Sequence, residues 1–333
     1  MDSLLAQAAE ELFTRHAPSQ AVRALRAGGS PAALWGEVEA SGFLDALVPE
    51  AAGGAGLGPA EALPVVMAAG RFAVPLPVAE TMLARAALAA AGAEIPEGAI
   101  ALAEPAGEGA ARLPPGGHAD WALLPLEGRA LLLPVAEGRE DTEAGSPLGR
   151  VLRWPGNAGR PMPSADYAAA GAWAEVSGMA GAMERILEST VLHARERQQF
   201  GRPVAAFQAV QQQVSVMTED VFAARMAAQL ASVADGDGVA GLNRARVAAA
   251  KIRVGEAAVR VAAIAHGVQG AMGITEEVDL HLLTARLQLG RTRFGGEARW
   301  GAWLGRRFLQ DGAGDTLLFV RDHLAPASPE TIP

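Results

Sequence analysis

Apolar positions in the first ninety or so residues recur at helical spacing. Leu4, Leu5, Ala8 and Leu12 share one helix face, and Leu34, Trp35, Val38, Phe43 and Leu44 extend the run. The glycine-rich stretch 48–58, VPEAAGGAGLG, interrupts it; residues 60–72 resume it until Pro75 and Pro77. Residues 1–95 therefore read as a helical domain. Between residues 98 and 160 the pattern changes to short apolar runs, AIALAEP, WALLPL, RALLLPV and RVLRWP, separated by glycine, proline and acidic turns. These predict a small β-domain over residues 96–165. From Asp166 helical spacing returns: Val210, Val214, Met217 and Val221 are four, three and four apart, and residues 247–268 form another long apolar helix. A helical bundle over residues 166–325 follows, with a proline-rich tail at 326–333. The chain is thus mainly α, with two helical domains flanking a β-domain.

Composition narrows the function classes. With 333 residues, half of them hydrophobic, the chain can bury a large core. No segment reaches the roughly 18 to 20 uninterrupted apolar residues of a membrane helix, and the acid-containing opening lacks the form of a signal peptide. No membrane insertion and a cytoplasmic location are expected. There is no cysteine, so disulfides and thiolate metal sites are excluded. The net charge of -9 argues against nucleic acid as a partner. Lys251 is the single lysine, which rules out a GK[ST] phosphate loop. GGAGLG departs from G-x-G-x-x-G and follows no strand, so it reads as an ordinary loop. The six histidines include no helical pair three or four apart, so no metal site is expected, and there is no G-x-S-x-G elbow.

The informative segment is 194–213, ARERQQFGRPVAAFQAVQQQ. A helix carrying Arg195 and Arg197 stops at Gly201 and Pro203, and a second begins near Phe207. Arg197 is of a type that pairs with a pyrophosphate, Phe200 with an adenine-like ring, and Gln208 with a polar cofactor edge. Spacing alone equally describes a helix ending in solvated arginines.

R-Q-Q-F-G-R-P-V-x-x-F-Q closely resembles the turn with which acyl-CoA dehydrogenases reach across a subunit interface to FAD. Residues 44–58 resemble that family's N-terminal signature, 102–107 (LAEPAG) its flavin-contacting T-E-P loop, and 268–275 (VQGAMGIT) its glycine turn near the flavin. The resemblance implies an N-terminal helical domain, a β-barrel-like middle domain and a C-terminal four-helix bundle. It implies that Arg197, Gln199, Phe200 and Gln208 hold the adenosine and pyrophosphate part of a FAD carried mainly by a neighbouring subunit, with Gln269 and Gly270 lining the cofactor turn. The implied partners are an acyl-CoA substrate, a homologous dehydrogenase subunit or a second copy in an oligomer, and an electron-transfer flavoprotein as acceptor.

The family reaction needs a carboxylate to take the acyl α-proton, with a pKa raised toward neutrality by burial. Where most members carry that glutamate, this sequence has Phe294 or Gly295; at the alternative position, early in the first bundle helix, it has Gly171. Glu175 and Glu297 lie nearby as substitutes, although both also read as solvated surface acids. Ala103 replaces the hydroxyl that the T-E-P loop turns to the flavin, while the arginine turn is intact. The combination implies a helper subunit in an α2β2 pair of unlike chains. Three alternatives stay open: a homo-oligomer with a relocated base, a non-catalytic relative, and a flavin monooxygenase. Gly171, Gly178 and Gly181, along the first bundle helix, leave room for a bulky acyl group such as a steroid side chain.

Overall fold

The computed structural model describes residues 4–114, 118–142, 149–156, 158–162, 165–236, 239–311 and 314–325; the tail expected at 326–333 lies outside them. Five helices come first: α1 (Leu4–His16), α2 (Ser19–Arg26), α3 (Ala32–Ala40), α4 (Pro59–Arg71) and α5 (Val78–Ala90). Gly42, at φ 74, turns the chain after α3, so Phe43 and Leu44 belong to a separate 3₁₀ turn rather than to a longer helix. The loop 48–58 is packed, not open: a Cβ at Gly54 would lie 2.2 Å from the Val48 carbonyl oxygen.

Eight strands follow, β1 (Ile100–Leu102), β2 (Glu104–Pro105), β3 (Ala110–Leu113), β4 (Trp121–Leu126), β5 (Arg129–Pro134), β6 (Arg139–Glu140), β7 (Arg150–Arg153) and β8 (Arg160–Met162). They form two four-stranded sheets, in the orders β1-β4-β5-β8 and β2-β3-β7-β6. Strand alternation sets the layers. Ile100 and Leu102 of β1 join the helical core, whereas Ala101, with Ala103 beyond the strand, joins a second core. That second core includes Ala111, Leu113 and Leu152 of the other sheet. One sheet is therefore sandwiched between the helices and the other sheet.

The remainder is helical: α6 (Tyr167–Glu196), a short hairpin of β9 (Gln198–Gln199) and β10 (Arg202–Pro203), α7 (Gln208–Ser232), α8 (Arg244–Gln269), α9 (Leu280–Thr292), α10 (Glu297–Gln310) and α11 (Thr316–Phe319). Asp166 caps α6 by accepting from the Ala169 N–H at 3.0 Å, and Asn243 caps α8 through the N–H groups of Ala245 and Arg246. Residues 244–274 are long and apolar enough to cross a membrane by length and composition alone. In this fold they carry the centre of the bundle, where α8 packs against α6, α7, α9 and α10. α6 is buried almost continuously from Tyr167 to Met183 and also packs on α4, which joins the two helical regions.

Candidate functional site

Two turns meet at one end of the bundle. α6 stops at Glu196, and Arg197, with ψ 125, leads into the β9–β10 hairpin, where Arg202 pairs with Gln199 and Pro203 with Gln198. The hairpin tip is Phe200–Gly201, with φ of 53 and 77. Two successive positive φ values define the tight turn whose twist matches a hairpin, and glycine or asparagine ordinarily supplies them. Phe200 instead holds the strained conformation and is 90% exposed. That ring stands edge-on to Phe207 at 6.2 Å, and the Arg202 guanidinium lies over Phe207 at 4.1 Å. Opposite the hairpin, α8 ends at Gln269, and Gly270, at φ 59, breaks the helix.

The two turns enclose a cavity of about 370 Å³ lined by His193, Arg197, Gln199, Gln213 and the segment 267–272, with Val204 and Val210 as its apolar wall. Of the residues expected from sequence, Arg197, Gln199, Gln269 and Gly270 converge here. Phe200 and Gln208 do not line the cavity; both project to the surface. Gln269 is 6% exposed and donates its amide to Thr190 Oγ1 at 3.2 Å, so its side chain ties the glycine turn to α6. Sequence reasoning missed His193 and Gln213, though His193 stands four residues before Arg197, the spacing that puts both on one helix face. Burial and the neighbouring Arg197 lower the His193 pKa, while Glu196 raises it. The donor set fits the pyrophosphate of a dinucleotide: a guanidinium, amide side chains and a glycine turn that lets an anion approach the backbone.

The other candidate region lies between α6, the end of α9 and the first sheet. Both positions at which the base was sought are found here, and one side chain fills the space between them. Phe294 is 3% exposed with φ 54, and a Cβ on Gly171 would lie 2.6 Å from its ring. The Phe294 N–H donates to Glu104 Oε1 at 2.8 Å, and its carbonyl accepts from Trp300 Nε1 at 3.0 Å. Ala103 is fully buried, with its N–H bonded to the Leu123 carbonyl at 2.8 Å, so no open face remains at that position for a flavin ring. The ring-side half of the expected site does not fit the cofactor in this chain.

Glu175 is not the solvated surface acid that its sequence context indicates. It is 2% exposed, accepts from Arg293 Nη1 at 2.6 Å and also pairs with Arg286. Arg293 bridges onward to Glu80 at 2.5 Å and donates to the Leu102 carbonyl at 2.9 Å. Glu80 in turn accepts from the Leu102 N–H at 2.7 Å. Burial pushes the Glu175 carboxyl up, but Arg286, Arg293 and Lys251 outweigh it and lower its pKa to about 2. A base needs the opposite shift. Lys251, 1% exposed, donates to the carbonyls of Gly290 and Arg291 at the end of α9, and burial lowers its pKa to about 8. Glu297 is half-buried and paired with Arg291 from its place in the first turn of α10. Both acids are counter-ions, not free carboxylates.

The glycines of α6 are likewise spent on packing. A Cβ at Gly181 would lie 1.9 Å from the Met67 carbonyl oxygen, and one at Gly70 of α4 would lie 1.9 Å from the Gly178 carbonyl oxygen. α4 and α6 thus touch backbone to backbone, and Phe294 fills Gly171. Backbone contact and the Phe294 ring occupy the room expected there for a bulky acyl group, and the cavity beside Glu80, Glu175 and Gly178 measures about 40 Å³. No group of three or more histidine, aspartate or glutamate side chains among those residues could hold a metal ion.

Comparison with known proteins gives two family matches: residues 2–95 match the acyl-CoA dehydrogenase N-terminal domain and residues 169–300 the acyl-CoA dehydrogenase C-terminal domain. Acyl-CoA dehydrogenase IpdE2 of Mycobacterium tuberculosis is 32% identical over 292 residues, covering 85% of this chain and 89% of the relative. Among solved structures, a Tcur3481-Tcur3483 steroid ACAD variant superposes with a TM-score of 0.74 at 23% identity, covering 93% of this chain and 98% of that one. The ChsE4-ChsE5 complex from Mycobacterium tuberculosis gives 0.74 at 23% identity, covering 92% and 96%.

Proposed function

Because the chain belongs to the acyl-CoA dehydrogenase family, we propose that it serves FAD-dependent α,β-dehydrogenation of an acyl-CoA thioester as the subunit without a base, paired with an unlike homologous subunit. The observation that carries this reading is the Phe294 ring packed on Gly171, which puts hydrocarbon where a proton acceptor would have to stand. When bound, FAD supplies the acceptor for the β-hydride. This chain's part is to hold the dinucleotide from across the interface. Arg197 offers a charge-assisted grip on the pyrophosphate, Gln199 and Gln213 offer amide hydrogen bonds, and the exposed Phe200 ring offers a stacking face. Thr190, through Gln269, fixes the position of the glycine turn. The acyl-CoA and the base belong to the partner's site. The two matched solved structures each carry two chain names, and the ChsE4-ChsE5 pair is described as a complex; the steroid class of one of them makes a steroid-derived acyl-CoA a substrate to try first.

The test is co-expression with a homologous dehydrogenase subunit encoded nearby. Arg197→Ala in this chain should leave the assembly intact by size-exclusion chromatography while lowering bound flavin by tenfold or more. An Arg197→Ala assembly that retains its flavin at the wild-type ratio contradicts the proposal.

A further inference from the structure

His193 is the titratable group in the cavity that the reading above leaves without a role. It lies in the last turn of α6, four residues before Arg197, and both side chains line the same cavity. It is half-buried, and no hydrogen-bonding partner for either ring nitrogen exists among the described residues. A half-buried imidazole beside a guanidinium, in a cavity walled by amides and glycine backbone, is an arrangement that repels a second cation and awaits an anion.

We propose that His193 is a second ligand for the diphosphate of the bound dinucleotide, donating a ring N–H beside Arg197, and that it takes up a proton from solvent as the anion binds. This rests on the reading that the cavity receives the adenosine diphosphate part of FAD. The charges facing His193 are few. Arg197 and Glu196 lie on or next to its own helix; α7 contributes Val210 and Gln213, the hairpin contributes Gln199, and segment 267–272 contributes no titratable side chain. Burial and Arg197 keep the free imidazole below its ordinary pKa of 6.5, and a diphosphate alongside it favours the charged form. The pKa is therefore raised by binding. FAD affinity rises as pH falls and weakens by up to about tenfold per pH unit between the free and bound pKa values.

Calorimetric titration of FAD into the flavin-freed assembly at pH 7, in two phosphate-free buffers of different ionisation enthalpy, measures the protons exchanged. The FAD diphosphate is a diester with no proton to exchange near neutrality, so any uptake belongs to the protein. The expected result is net uptake of a fraction of a proton per FAD, abolished in His193→Gln together with a several-fold loss of affinity. Riboflavin, which carries no phosphate and no titratable group near neutrality, should show no uptake. No uptake by the wild type, or the same uptake in His193→Gln, overturns the role of His193 while leaving the flavin reading intact. A folded assembly that binds no FAD at either pH 6 or pH 8 overturns both.

Discussion

Among single residues, Phe200 is the one whose conformation the packing of the chain does not explain. A phenylalanine at φ 53 that is 90% exposed costs strain and gains little burial within the chain. Phe200→Asn should therefore raise the stability of the isolated chain by about 1 kcal/mol, since asparagine tolerates the left-handed region, while reducing flavin retention in the assembly. Thermal unfolding of the chain and flavin content of the complex are the paired readouts; a variant destabilised in both would show the ring to be structural. Glu175 makes the opposite argument. Its pKa is depressed from 4.5 to about 2, so its contribution to stability is present above the unfolded-state value and is lost as pH falls through the folded-state value. Glu175→Gln leaves Arg286 and Arg293 without that counter-charge and should cost about 3–5 kcal/mol at pH 7. Denaturation midpoints at pH 7 and pH 3 check this, because the gap between wild type and variant must narrow at the lower pH. Neither residue's state was legible in the sequence. Arg286 and Arg293 are 111 and 118 positions from Glu175, and nothing local marks a glutamate that will be buried between them.

At the scale of elements, the apolar spacing carried most of the fold. The runs WALLPL and RALLLPV are β4 and β5, the periodic stretch 210–221 lies within α7, and Pro75 and Pro77 separate α4 from α5. The hairpin in the arginine turn was not visible, because each of its strands is two residues long and its tip lacks the asparagine-glycine signature. The glycines of α6 were visible but their purpose was not: a small residue on a helix serves an open pocket or a close neighbour equally well, and only the position of α4 decides between them. Gly181→Ala should destabilise the chain by about 3 kcal/mol, because the new Cβ meets a backbone carbonyl at 1.9 Å that no rotamer change can move. Chemical denaturation measures it; a loss under about 0.5 kcal/mol would mean that α4 and α6 separate easily enough for an acyl group to enter.

Across the whole molecule the two halves of the expected site have opposite fates. At one end of the bundle a cavity of about 370 Å³ keeps its polar donors and an exposed ring. Beside the first sheet the space is closed by Phe294, by the Glu80–Arg293–Glu175 bridge and by backbone contact between α4 and α6. The positions read through the resemblance fall on both sides of this divide: Gly171 and Ala103 lie in the closed region and Arg197 in the open one. Sequence alone does not reveal that the Phe294 ring packs against Gly171, since that depends on the backbone conformation of Phe294. That contrast, an open polar cavity at one end of the bundle and a closed region beside the first sheet, is what the proposed shared site rests on.

The most direct measurement is the visible spectrum of the purified chain, alone and co-expressed with a homologous dehydrogenase subunit, before and after anaerobic addition of acyl-CoA. Flavin absorbance is expected in the co-expressed assembly, bleached by the thioester, with no substrate-bleachable flavin in the chain alone. Flavin bound to the chain alone and bleached by acyl-CoA would contradict this, because a proton acceptor would then have to exist where the structure places Phe294.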